Sequence, residues 1–181
     1  MHECPGAGRR HKKKLAFLTW FSLKKQENKQ LKLWDCDVCH AQGYREQRAC
    51  FLENSELPVT YKCGRETNEG IINVDELWDI VDTLQDANPG APIYALVGLI
   101  RGTEGGCLRE LCPVSIVDPF IDTLITMEAL CEVYHALPLS GGLLDQPSYL
   151  MESFSTIRAT RNFYDEEKAR KLNGKNNTKK A

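Results

Sequence analysis

The chain has 181 residues, 42% of them hydrophobic, and a formal net charge of −2 at pH 7. This is enough for one ordinary domain, or for a small module beside a helical domain, with a core of its own. No apolar run reaches the ~18 residues that a membrane span needs. Residues 12–23 lack the cleavage site of a signal peptide, so we expect a cytoplasmic protein.

The charges are unevenly distributed along the chain. Residues 1–32 carry nine Lys/Arg against two acids, residues 33–157 carry six against twenty, and residues 158–181 carry eight against three. Together with the cysteine positions, this predicts four segments. They are a basic N-terminal arm (1–32), a Cys-rich module (33–70), an α-helical domain (71–172) and a disordered basic tail (173–181).

The basic arm contains Phe17, Trp20 and Phe21 among its lysines. Aromatic stacking combined with phosphate neutralisation would bind single-stranded nucleic acid. The alternative, which we prefer, is an amphipathic helix that packs its aromatic side chains on the body of the protein.

Eight cysteines are many for a chain in a reducing compartment, and they favour metal binding over disulfides. The run "WDCDVCH" at residues 34–40 allows two interpretations. Covalent haem attachment needs an export pathway, which the sequence does not indicate. Half of a tetrahedral zinc site is the better interpretation, because a Cys-x-x-Cys turn can direct both sulfurs at one ion.

Cys36 and Cys39 supply that half, and Cys50 returns after a short loop as the third ligand. For the fourth ligand, His40, Cys63, Cys107 and Cys112 remain open, and spacing alone favours Cys63. Four thiolates leave no coordination position for a substrate, so we expect one structural Zn²⁺ and no catalysis. The simpler alternative is a set of unligated buried thiols.

The first helix after the cysteines is predicted to begin at Asn73, three residues before Glu76, in a capping box. Leu77, Ile80, Val81 and Leu84 follow at helical spacing. Residues 91–101 fit either a buried helix or a strand, and residues 102–106 are predicted to form a loop.

A second helix is predicted from Asp118-Pro119, where proline occupies the first helical position. Its apolar stripe is Phe120, Leu124, Met127, Cys131 and Tyr134, and Ile121, Leu130 and Leu137 widen this face. A third helix follows Pro147, and the two should form an antiparallel hairpin that also packs on the 73–87 helix. The predicted fold is mainly α, a helical hairpin or bundle domain with a small N-terminal zinc-ribbon-like Cys module.

The loop between these two helices is a candidate interaction surface. It consists of Gly141, Gly142, Leu143, Leu144, Asp145 and Gln146. A packed connection, with both leucines folded back on the helices, is the interpretation that we favour over a docking surface.

The stretches "CPVS" at residues 112–115 and "LPLSGGLLDQPSYLMESF" at 137–154 resemble small proteins of tailed bacteriophages. In that group a cysteine cluster precedes a Cys-Pro run, and a Gly-Gly-x-Leu-Asp-Gln-Pro turn leads into the last helix. The similarity covers about residues 34–50 and 112–158. Several members are described as tail-assembly chaperones.

The resemblance implies that Cys112 completes the site with Cys36, Cys39 and Cys50, and Cys63 remains the alternative. It also implies a non-enzymatic, zinc-stabilised phage protein in the host cytoplasm that binds a protein partner, such as a tail component. Nucleic-acid binding through the basic arm and the zinc module is the second choice. Neither a membrane nor a small-molecule substrate is expected.

Overall fold

The computed structural model describes residues 5–27 and 35–178, and its contacts divide the chain into two compact units. One unit comprises Met1–Gln26 and Pro119–Ala181, and the other comprises Glu27–Asp118. The second unit contains a five-stranded sheet. The predicted mainly α fold is therefore wrong, and so is the separate zinc-ribbon-like module, because residues 48–72 contribute three strands to that sheet.

Five strands form the sheet in the order β1-β5-β4-β2-β3. Their bounds are β1 Arg48–Ala49, β2 Leu57–Cys63, β3 Glu66–Ile72, β4 Ile100–Glu104 and β5 Cys107–Leu111. The pairs β2–β3, β2–β4 and β4–β5 are antiparallel, whereas β1 runs parallel to β5.

The two hairpins were missed because their strands carry few buried side chains. In β3 only Ile72 is buried, so its sequence has the polarity of a loop. The predicted loop at 102–106 is the end of β4 and the turn that follows it. Gly105 and Gly106 adopt φ of +58° and +79°, which is the combination that a tight two-residue hairpin turn requires.

Three α-helices belong to the sheet unit: α2 Cys36–Ala41, α3 Val74–Ala87 and α4 Ile93–Val97. The capping box at the start of α3 is confirmed. Asn73 Oδ1 accepts from the backbone N–H groups of Asp75 and Glu76, and the Glu76 carboxylate accepts from the Asn73 N–H. The predicted apolar stripe of α3 is buried, and the ambiguous segment 91–101 contains both the short α4 and the start of β4.

The other unit is built from α1 Pro5–Glu27, α5 Pro119–Tyr134 and α6 Ser148–Thr178. The expected packing of the helical hairpin on α3 stays a prediction, since α3 belongs to the sheet unit. Helix α6 includes residues 173–178 of the tail that was predicted to be disordered. Residues 1–4 and 28–32 of the basic arm, and residues 179–181, lie outside the described residues. No helix in the described part of the chain is long and apolar enough to cross a bilayer.

Helix α1 packs on α6. The Lys12 ammonium lies 2.7 Å from the Glu152 carboxylate, and the Trp20 ring meets the Tyr164 ring edge-on with centroids 6.2 Å apart. Phe17 and Phe21 are buried. The packed amphipathic helix is thus confirmed, and these two phenylalanines are not available to stack on bases.

Helix α5 buries only part of the predicted apolar face. Ile121, Leu124 and Glu128 are buried, whereas Phe120 and Tyr134 at the ends of the predicted stripe are exposed. The Glu128 side chain is 0% exposed and forms ion pairs with Arg158 Nε at 2.9 Å and Arg161 Nη1 at 2.6 Å. A buried charge of this kind is tolerated only while its partners remain in place.

We expect Glu128→Gln to lower the free energy of unfolding by about 2 kcal/mol or more, because it leaves the arginines without the charge they surround. Glu132→Gln is the matched control, since the Glu132 side chain is 63% exposed and also contacts Arg161. The Glu132→Gln change should lower the free energy of unfolding by less than about 1 kcal/mol. Urea denaturation measures both, and equal stabilities of the two variants would contradict a structural role for the buried carboxylate.

Gly102, in the middle of β4, permits a close approach between strands. A Cβ built on Gly102 would lie 2.2 Å from the Cβ of Ala49 and 3.8 Å from Leu111 Cδ2. Because Gly102 has no side chain, the Ala49 side chain, which precedes Cys50, can occupy this space.

Gly102→Ala is expected to destabilise the protein by about 2 kcal/mol through overpacking. Gly70→Ala in β3 is the control, because the nearest atom to its added Cβ is 4.0 Å away, and its effect should be about 0.5 kcal/mol in either direction. Thermal unfolding distinguishes them. A Gly102→Ala protein as stable as the Gly70→Ala protein would show that β1 can move away without cost.

Candidate metal centre

The first two candidate ligands are positioned by the short helix α2. Asp35 caps this helix, and its Oδ1 accepts from the N–H groups of Asp37 at 3.0 Å and Val38 at 3.2 Å. Cys36 and Cys39 are three residues apart on the helix, so their side chains lie on the same face. Cys39 is buried and Cys36 is exposed.

The other two candidates follow directly after two neighbouring strands. Ala49 pairs with Leu111 in the parallel β1–β5 ladder, and the Cys112 N–H donates to the Ala49 carbonyl at 2.9 Å. Because both strands end at the same edge of the sheet, Cys50 and Cys112 leave it side by side. Ser115 Oγ strengthens this junction, since it accepts from the Phe51 N–H and donates to the Cys112 carbonyl.

All four cysteines line one cavity of about 360 Å³. It is bounded by Cys36, Asp37, Cys39, His40, Arg45, Arg48, Cys50, Leu52 and Cys112. Cys63, Cys107 and Cys131 do not line it. Cys63 ends β2 opposite Glu66, and Cys107 begins β5 opposite Glu104, so both stand at the turns of their hairpins.

The pKa values of two thiols reflect this enclosure. Burial is the main reason why the pKa of Cys36 is raised, and the neighbouring Cys50 and Cys39 raise it further. Burial also raises the pKa of Cys112, against the opposing effect of hydrogen bonds from the Ser115 and Val114 backbone.

The chemistry of the donors fits zinc, which thiolates bind at about 2.3 Å. The four thiols are, however, too far apart to coordinate one ion. Among the described residues, no three His, Cys, Asp or Glu side chains are arranged closely enough to coordinate a metal ion. The four thiols therefore share one cavity without forming a coordination shell.

Two arginines on the cavity wall were not anticipated from the sequence. Arg48 Nη1 donates to Cys39 Sγ at 3.9 Å. Arg45 contacts the His40 ring nitrogen Nδ1 at 3.2 Å and forms an ion pair with Glu53. The one available signal was that both arginines lie inside the loop that joins the Cys-x-x-Cys turn to Cys50.

The candidate interaction loop lies in the helical unit. Leu143 is 60% exposed and Leu144 is 98% exposed, so the favoured interpretation, a packed connection with both leucines folded back, is wrong. Gln146 is buried, and its side chain bonds to both backbone groups of Leu139.

Comparisons of the chain with protein-family models, with curated proteins and with solved structures found no match.

Proposed function

We propose that this chain is a zinc-stabilised protein that acts by binding another protein. The observation that carries the metal part is the convergence of Cys36, Cys39, Cys50 and Cys112 on one cavity. These residues come from three separate places in the sequence. Four sulfur donors match a closed, structural zinc site.

The helix that carries the first two cysteines buries few side chains, and the strand before Cys50 is short. In α2 only Cys39 is buried, and β1 contains two residues. A single ion bound by thiolates from α2, from the end of β1 and from Cys112 would attach α2 to the sheet. Metal binding of this kind contributes directly to the folding free energy.

Arg48 supports the same proposal. Four thiolates and one Zn²⁺ carry a net charge of −2, which a partly buried site must offset. The Arg48 guanidinium, which already donates to Cys39 Sγ, is placed to offset part of it. Donors of this type orient metal ligands and tune their basicity.

The protein-binding part of the proposal follows the resemblance to small phage proteins, and assembly of a virion tail is the setting which that resemblance implies. The exposed side chains of Leu143 and Leu144 in the loop Gly141–Gln146 support it, because exposed apolar surface marks binding sites.

Purified protein should contain about one Zn²⁺ per chain, as a single four-thiolate site requires. Cys39→Ser and Cys112→Ser should lose the metal, whereas the controls Cys63→Ser and Cys107→Ser should keep it. Elemental analysis gives the stoichiometry, and the charge-transfer absorption of the Co²⁺-substituted protein reports thiolate ligation. Wild-type protein that folds fully and takes up neither metal would defeat the proposal.

Zinc affinity should fall as the pH decreases from 8 to 6. Cys36 and Cys112, whose pKa values are raised, must release protons to bind the ion, and a lower pH opposes that release. Calorimetric titration with Zn²⁺ in buffers of different ionisation enthalpy counts the protons released. An affinity and a heat that are independent of pH and of buffer would exclude thiolate ligation.

A further inference from the structure

Exposed apolar side chains are concentrated in one segment of the helical unit. Residues 130–149 hold more than half of the large hydrophobic side chains that are exposed in the described chain. They are Leu130, Val133, Tyr134, Leu137, Leu139, Leu143, Leu144 and Tyr149. Contiguous exposed apolar surface commonly marks a binding site.

Two of these side chains, Leu137 and Leu143, line a groove. A cavity of about 510 Å³ has walls that include Leu137, Leu143, Met151 and Phe154. A second cavity of about 560 Å³ shares with it five residues, namely Cys131, Ala136, Leu137, Arg158 and Asn162. The two cavities therefore adjoin each other.

Arg158 is the one charged residue that lines the first cavity. Its Nε donates to the buried Glu128, yet its side chain remains 61% exposed. A guanidinium has further N–H donors arranged to hold a carboxylate. In the second cavity, the charge of Arg161 is paired with Glu132 at 3.0 Å. Arg158 is therefore the cation that an occupant of the first, more apolar cavity would contact.

The loop at the rim is fixed by hydrogen bonds within itself. The Gln146 amide bonds to the N–H and C=O of Leu139 and to the Gly142 carbonyl, and the Asp145 carboxylate accepts from the Gly142 N–H at 2.6 Å. Gly141 has φ of +111°, and an added Cβ would lie 2.8 Å from Asp145 Oδ2. The loop thus displays its leucines in a preorganised shape, which lowers the entropy lost when a partner binds.

We propose that this groove binds a protein segment that inserts large apolar side chains between Leu137 and Leu143 and places an Asp or Glu carboxylate on Arg158. This proposal rests on the proposed function, because it assumes that the partner is a protein. It adds the chemistry of the segment that is recognised. It does not depend on zinc, so the metal measurements and the binding experiment can fail independently.

The test is selection of a displayed library of random peptides, about four helical turns long, on the full-length protein. Recovered peptides should carry spaced Leu, Ile or Phe residues together with at least one acidic residue. Binding of the synthesised peptides should weaken about tenfold or more for the double variant Leu143→Asp/Leu144→Asp and several-fold for Arg158→Gln. Leu108→Asp is the matched control, because Leu108 is 65% exposed in β5 of the other unit, and it should leave binding unchanged.

The variant Gly141→Ala alters the loop without removing a contact side chain, and it should weaken the same peptides. Thermal unfolding verifies that each variant is folded. Peptides without acidic residues, or equal losses for Leu108→Asp and the leucine double variant, would overturn the proposal. So would a concentration-dependent dimer in gel filtration that the double variant abolishes, or calorimetric binding of oleate without any peptide binding, because the occupant would then be a second copy or a fatty acid.

Discussion

The parallel pairing of β1 with β5 is the interaction on which the candidate site depends. It consists of two register pairs, Arg48 with Glu110 and Ala49 with Leu111. Strands this short have little stability of their own, and Gly102 must lack a side chain for Ala49 to fit. Where this pairing holds, the residues that follow both strands leave the sheet together, and both are cysteines.

The two parts of the proposed function lie in different units. Cys36, Cys39, Cys50 and Cys112 belong to the unit Glu27–Asp118, whereas the groove beside Arg158 belongs to the helical unit. A change at the proposed zinc site can therefore leave the proposed binding groove unaltered, and the reverse also holds. A change in the thiols would act first on the segment around α2, and a change in the groove would act on affinity.

Local signals in the sequence were reliable where one residue type determines the geometry. Asn73 and Glu76 predicted the start of α3, and the spacing of Leu77, Ile80, Val81 and Leu84 predicted its buried face. The sheet escaped prediction because its hairpins are polar and its two-residue strand β1 carries no periodicity. Only the resemblance favoured Cys112 over Cys63 as a ligand, because pairing between strands 62 residues apart in the chain leaves no local sequence pattern.

Exposure was the property that sequence patterns predicted least well. The helix α5 is apolar on most of its surface, so periodicity could not distinguish the face that packs from the face left in water. Ile121 and Leu124 pack, while Leu130, Val133 and Tyr134 do not. The same uncertainty applied to Leu143 and Leu144, whose outward direction is decided by the hydrogen bonds of Gln146 and Asp145.

The helical unit is discontinuous in sequence, because Glu27–Asp118 is inserted between α1 and α5. During translation, α1 leaves the ribosome long before α6, the helix whose Tyr164 ring contacts Trp20. At about 5–20 residues per second, the nascent chain carries Trp20 without this contact for several seconds or longer. The inserted unit can complete its own fold in that interval, so α1 is the segment most exposed to chaperone capture or aggregation before synthesis ends.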